Sequence, residues 1–265
     1  MENLAPTTGQ APVLEILDVK VQFGTIVAVN DVSATVHAGE IFAIVGPNGA
    51  GKSSLLNAVN GFYKPRSGQI KFNGADIVGL RPNQVARLGI ARTFQNMQLY
   101  LGMPVLDNLM AGRHIHMNGG ILKALIRPWG MKEEVAQREA VEKVLEFLGL
   151  QAQRNTPVGT FGYGIRKRVD LARALCMEPK LLLLDEPMAG MTMDEKEDMA
   201  RFILEVQRTT GIPIVIVEHD MQVVSDIADR VLVLDWGQVV AIGKPAGVLR
   251  LPEVVAAYLG SESVQ

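Results

Sequence analysis

The five apolar residues Ile41–Val45 run straight into GPNGAGKSS at 46–54, and a helical pattern follows from about Lys52 to Asn60. Few local sequences leave the backbone so little choice. Gly46, Gly49, Gly51, Lys52 and Ser53 meet the spacing Gly-x4-Gly-Lys-Ser/Thr. Glycines at these places let successive N–H groups turn inward around phosphate oxygens, and the helix behind adds the positive end of its dipole. Lys52 is then placed for the outer phosphates of a nucleotide, and the Ser53 hydroxyl for Mg²⁺. A buried strand before the loop and a helix after it are what separate this pattern from a chance match.

A second apolar run supplies a complementary charge. Leu181–Leu184 reads as a central strand, so that Asp185 and Glu186 emerge at its carboxyl end. In an open parallel sheet that edge is where ligands bind. Asp185 is expected to hold Mg²⁺ and Glu186 to polarise an attacking water. An apolar run ending in Asp-Glu is weak alone, since many strands end in solvated carboxylates; paired with the glycine loop it is strong.

The remaining pattern fills in a sheet. Val13–Phe23 and Ile26–Val36 alternate and are rich in β-branched residues, which predicts paired strands turning near Gly24. Gly68–Asn73, ended by an Asn-Gly turn, and Arg92–Phe94 are further strand candidates. Helical periodicity holds from about Val105 to Met177, best over Lys132–Leu148, where Val135, Val141, Val144, Leu145 and Leu148 share a face. Strand patterns return at Leu181–Leu184, Ile214–Val217 and Val231–Leu234, separated by helical stretches at about Asp194–Arg208 and Met221–Ala228. Strands alternating with helices predict a mostly parallel sheet, here interrupted by an all-helical insertion.

Composition narrows the partners. A net charge of −2 offers no basic field, so nucleic acid is not expected. The lone Cys176 excludes an internal disulfide and reads as a small buried hydrophobe. MENLAPTTGQAP, with an acid at position 2 and no apolar stretch, is unlike a secretory signal. No segment approaches the ~20 apolar residues of a membrane span. If the protein acts at a membrane, other chains must cross it.

Together these motifs resemble the ATP-binding subunits of ABC transporters, over about Val13 to Gly260. The resemblance implies an α/β P-loop NTPase fold with a RecA-like, mostly parallel sheet core, an N-terminal antiparallel β subdomain and an inserted α-helical subdomain. It divides the chain into a flexible tail at 1–12 and one ATPase domain at 13–260. Within that domain the catalytic core takes about 13–94 and 178–245, the helical subdomain about 95–177 and a C-terminal helix about 246–260. Phe23 stands where the family stacks an aromatic ring on adenine. The ATP-binding set implied is Phe23 with Gly46, Pro47, Asn48, Gly49, Ala50, Gly51, Lys52, Ser53 and Ser54. Gln95 in RTFQN matches the Q-loop and His219 in VEHDM the switch histidine, so Glu186, His219, Lys52 and Gln95 are the implied catalytic residues. Ser53, Gln95 and Asp185 are the implied Mg²⁺ ligands.

Two places depart from the family. Its signature, usually Leu-Ser-Gly-Gly-Gln, aligns with FGYGI at Phe161–Ile165, so that Gly162 lacks the serine hydroxyl and Ile165 the glutamine amide. Thr192 stands where the D-loop usually has aspartate, and Asp194 falls two residues late. In the family, ATP lies between the glycine-rich phosphate loop of one subunit, here 46–54, and the signature of the other. Gly162, Tyr163 and Gly164 would therefore serve the nucleotide of a second ATP-binding subunit. A heterodimer with unequal sites follows, hydrolysing mostly at this chain's own loop; a homodimer stays open.

The long tract HIHMNGGILKALIRPWGMKEE after Gln95, with DEPMAGM and VVAAYLG, is similar to the high-affinity branched-chain amino acid importers and to relatives that carry other small solutes. That likeness implies integral-membrane permease subunits, a periplasmic solute-binding protein acting indirectly, and a peripheral place on the cytoplasmic face of the inner membrane. A lipid or lipopolysaccharide export ATPase is the competing reading. A non-transport ABC factor would predict a basic face, a long coiled coil or tandem cassettes. His114 and His116 invite a metal, although two histidines two apart are more often solvated. Ile121–Trp129 could dock against a permease helix or pack within the helical block.

Overall fold

The computed structural model describes residues 11–116 and 127–262. Strands β1 (Leu14–Phe23) and β2 (Ile26–Val36) form the expected hairpin. With β4 (Ser67–Phe72) and the two-residue β5 (Ala75–Asp76) they make an antiparallel sheet in the order β2-β1-β4-β5. The second sheet has six strands, ordered β10-β9-β3-β8-β7-β6. They are β3 (Ile41–Val45), β6 (Ile90–Arg92), β7 (Leu181–Asp185), β8 (Ile214–Val217), β9 (Arg230–Asp235) and β10 (Gln238–Gly243). All its pairings are parallel except that of β10, an antiparallel edge strand.

Side chains alternate across a strand, so a strand covered on both faces must be apolar throughout. β3, β7 and β8 are buried at every position and apolar except for Asp185 at the end of β7. Phe42, Ile44, Leu183 and Val215 face one core, shared with Leu14, Ile16 and Ile70 of the antiparallel sheet and with Leu55 and Leu56 of α1 (Lys52–Val59). Ala43, Val45, Leu184 and Ile216 face the other. There they meet α3 (Val105–Arg113), α4 (Arg127–Phe147), α5 (Tyr163–Leu175), α6 (Met193–Thr210) and α7 (Met221–Ile227). Each fully buried large aliphatic side chain in these layers contributes about 1.5–3 kcal/mol.

Four local expectations shift. The strand expected at Arg92–Phe94 lies at Ile90–Arg92, because Ile90 pairs with Leu181 and the two apolar residues Ile90 and Ala91 fill the sheet. Val135 is 53% exposed, while Val141, Leu145 and Leu148 are buried. The C-terminal stretch forms two helices, α8 (Pro245–Val248) and α9 (Pro252–Glu262), since the residue before Pro252 is disfavoured in helical geometry. Helix α2 (Pro82–Leu88) precedes β6 where no helix was read. Most of Ile121–Trp129 lies outside the described residues. Among the described residues no helix is long and apolar enough to cross a membrane.

Candidate functional site

The glycine loop joins the carboxyl end of β3 to α1 and is wedged between neighbouring strands. Gly46 has φ 148° and Gly51 φ 98°. A Cβ at Gly46 would run into the Leu234 carbonyl oxygen of β9, and one at Gly51 into the Ala28 carbonyl oxygen of β2. Only glycine fits both the dihedral and the space. Gly51 caps α1 without a side-chain bond, so the first-turn N–H groups stay available to an anion. Lys52 is 6% exposed and donates to the carbonyl oxygens of Gly46 at 2.7 Å and Pro47 at 2.9 Å. Burial lowers its pKa, while the charges of Glu186 and Asp185 pull it back up. Pro47 and Ala50 are buried, Ser54 is half-buried, and Asn48, Gly49 and Ser53 are exposed.

Opposite in charge, Asp185 ends β7 and Glu186 follows it. Glu186 sits in the left-handed region at φ 48°, held by its N–H bond to the Val217 carbonyl oxygen. Such a backbone costs a non-glycine residue about 1–3 kcal/mol; Asp18, Asp31, Asn73, Glu178 and Trp236 share it. Asp185 accepts from Arg92 through Oδ2 at 2.7 Å, and the two side chains are only 5% and 3% exposed. Arg92 also donates to Asn57 Oδ1 of α1 at 2.7 Å and lies 5.0 Å from the Phe94 ring. Asp185 Oδ1 is buried without a hydrogen-bond partner. An anionic oxygen left in that state fits a hard divalent cation. Gln95 Nε2 donates to Glu186 Oε2 at 2.9 Å, so the glutamine and the carboxylate are brought together. Lys167 of α5 donates to the Glu186 carbonyl oxygen at 2.9 Å.

Beyond β8, Glu218 is buried, His219 exposed and Asp220 half-buried. Glu218 accepts from the Met188 N–H at 2.9 Å, and burial pushes its carboxyl above the ordinary range. Asp220 caps α7 and accepts from Lys196 Nζ at 2.7 Å, a bond that holds its carboxyl below the ordinary range. Thr192 caps α6 in a reciprocal box with Glu195. Threonine thus supplies the helix cap that an aspartate there could also supply.

Phe23, at the end of β1, is 45% exposed and meets the Tyr63 ring edge-on at 4.8 Å. Gly162 caps α5 without a side-chain bond; Gly162 and Tyr163 are exposed and Gly164 is buried. Among the described residues no hydrogen bond joins these three to the loop at 46–54. A ring nitrogen of His116 meets the Met177 carbonyl oxygen at 2.9 Å. Burial pushes the Cys176 thiol up to about 12, as suits a small apolar filler. A groove of about 810 Å³ is lined by Phe62, Arg87, Phe94, Tyr100, Arg173 and Met177.

Sequence reading passes over Arg92, Lys167 and Glu218. The available sign was a lone charge beside an apolar run: Arg92 follows Ile90 and Ala91, and Glu218 follows Ile214–Val217.

Comparison with known proteins places this geometry. Residues 29–189 match the ABC transporter family. The chain is 35% identical, over 252 residues, to the high-affinity branched-chain amino acid transport ATP-binding protein BraF of Pseudomonas aeruginosa, covering 94% of this chain and 98% of the relative. Identity and coverage are the same for LivG of Escherichia coli strain K12, which carries the same description. Among solved structures, the ADP conformation of an ATP-binding cassette from an ABC transporter matches with a TM-score of 0.84 and 34% identity, covering 95% of this chain and all of that one. A nucleotide-free cassette matches with a TM-score of 0.83 and 33% identity, covering 94% and 99%.

Proposed function

The chain belongs to the ABC transporter family and is an ATPase subunit of that kind, and from this premise we propose that it energises import of branched-chain amino acids or a related small solute. Support for that class of cargo is the near full-length likeness to two proteins described as branched-chain amino acid transport subunits. The hydrolytic half is carried by one juxtaposition: Lys52 lies close enough to Asp185 and Glu186 for their charges to act on its ammonium group.

The reaction is ATP + water → ADP + phosphate. Lys52 and the N–H groups of 46–53 hold the phosphate oxygens on which charge builds, the largest expected contribution to the rate. Phe23 stacks on the adenine. Glu186 orients the water in line with the bond to be broken and accepts its proton. His219 contacts the terminal phosphate, and Gln95 reports the nucleotide state to the helical layer. Ser53 and Asp185, with Gln95, would hold Mg²⁺. When bound, the ion neutralises charge on the phosphates.

Gly162, Tyr163 and Gly164 serve the nucleotide of a second ATP-binding subunit, in a hetero- or homodimer. The groove between β6, α3 and α5 receives a helix of an integral-membrane permease, which keeps this subunit peripheral on the cytoplasmic face of the membrane. A solute-binding protein acts from the other side. Core residues at about 13–94 and 178–245 and a helical subdomain at about 95–177 form the working halves.

The test is transport. Purified with its permease chains and a solute-binding protein in proteoliposomes, the complex should take up labelled leucine in step with ATP hydrolysis. Hydrolysis stimulated only by a lipid substrate, with no uptake of leucine, urea or short amides, would overturn the import reading.

A further inference from the structure

Of the basic residues on α5 (Arg166, Lys167, Arg168 and Arg173), Lys167 alone is buried, at 4% exposure. Burial drives a lysine toward its neutral form, and such a side chain persists only with good partners. The partners here belong to the hydrolytic machinery. The ammonium donates to the Glu186 carbonyl oxygen at 2.9 Å and to the Gln95 carbonyl oxygen at 3.4 Å. It also lies 5.6 Å from the centre of the Tyr163 ring, one helical turn earlier.

Those bonds close a circuit. Lys167 holds the two backbones, while the side chains of Gln95 and Glu186 bond each other at 2.9 Å. Glu186 is in the left-handed region, and its N–H and carbonyl are held by Val217 and Lys167 respectively. On α5, Tyr163 and Gly164 belong to the signature turn. The path from that turn through Lys167 to the hydrolytic carboxylate therefore lies within one chain.

We propose that Lys167 is a positioning residue for hydrolysis, tying this chain's own signature helix to the backbone of its own Glu186. A tilt of α5 then sets where the carboxylate points, separately from what the signature turn does for a second subunit. This rests on Glu186 as the water-orienting group.

The experiment uses the full-length chain with ATP and three variants. Lys167→Met fills the volume without donors, Lys167→Arg restores two donors, and Gln95→Ala removes the second hold on Glu186. Lys167→Met should lose about a hundredfold in kcat, as a catalytic group displaced by roughly 1 Å does. KM and equilibrium ATP affinity should stay within about twofold, because the nucleotide contacts are intact. Lys167→Arg should recover to within about threefold of the starting rate, since a guanidinium can span both carbonyls. The double variant Lys167→Met with Gln95→Ala should lose less than the product of the single losses, as both hold one carboxylate. Should the methionine variant fail to fold, Lys167→Gln takes its place: its shorter amide donates but cannot span both carbonyls, so kcat should fall by about tenfold with KM again within about twofold. Turnover of Lys167→Met within about twofold of the parent, ATP affinity falling in step with kcat, arginine no better than methionine, or additive losses would each overturn the proposal. A parent chain that turns over no ATP would instead strike at the hydrolytic reading beneath it.

Discussion

The carboxyl edge of the six-stranded sheet and the start of α5 both present glycine-bearing backbone at a helix N-terminus, yet the glycines flanking the first loop are pressed against their own chain while the leading residues of the second turn stand open. At the sheet edge, Gly46 and Gly51 are pressed against the carbonyls of Leu234 and Ala28, Lys52 is buried, and Asp185 is paired with Arg92. At α5, a Cβ on Gly162 would meet nothing within 4 Å and Tyr163 is 41% exposed, while Gly164, one residue further in, is packed against Glu195. Rigid, over-determined backbone suits a group that must stabilise charge without reorganising. Open backbone suits a surface completed by another molecule, in keeping with the proposed second subunit.

Substitutions sharpen this contrast. Removing Arg92 leaves the Asp185 carboxylate buried with no partner, so Arg92→Ala should cost about 3–5 kcal/mol in chemical denaturation. Arg154, whose pair with Glu142 is 42% and 37% exposed, should cost under about 1 kcal/mol when changed to alanine. Equal losses would break the claim that the sheet edge is the tightly built half. Lys52→Ala removes a charge-assisted contact of about 1.5–3 kcal/mol, so ATP affinity measured by calorimetry should fall roughly 10–100-fold. At the other end of the scale, Gly162→Ser enters open space on an extended backbone (φ −62°, ψ 168°) and gains a helix cap. Its thermal unfolding should rise by about 1 °C, from a few tenths of a kcal/mol. A drop would mean that the turn already packs against its own chain.

The same contrast explains what was legible in the sequence. The loop at 46–54 and the run at 181–186 could be read because the function proposed for them needs local backbone: an apolar strand, then glycines or carboxylates at its end. The N-terminal strand pair followed from period-two runs, the central strands from unbroken apolar ones and the helical insertion from period-3.6 ones, whereas the separate antiparallel sheet was implied by the resemblance. Arg92 was hidden because its meaning lies 93 residues away, in Asp185. In a short window, an arginine after Ile90 and Ala91 reads as a solvated strand end. Lys167 sits among Arg166 and Arg168, where a basic cluster reads as a wet helix face; only the packing of α5 against the sheet edge buries one of the three. Thr192 looked like a lost aspartate because the resemblance compares positions, whereas the structure uses it as a cap on α6. The helix boundary at Leu251–Pro252 was written in the proline and overlooked.

The central claim, that the loop at 46–53 cradles a triphosphate before a water-orienting Glu186, is tested by Glu186→Gln. ATP affinity and phosphate release should be measured on one preparation. Affinity should stay within about threefold, because the glutamine leaves the phosphate contacts in place, and turnover should fall by roughly 10²–10⁴-fold. Sustained multiple turnover at the parent rate, or ATP binding lost along with hydrolysis, would contradict it.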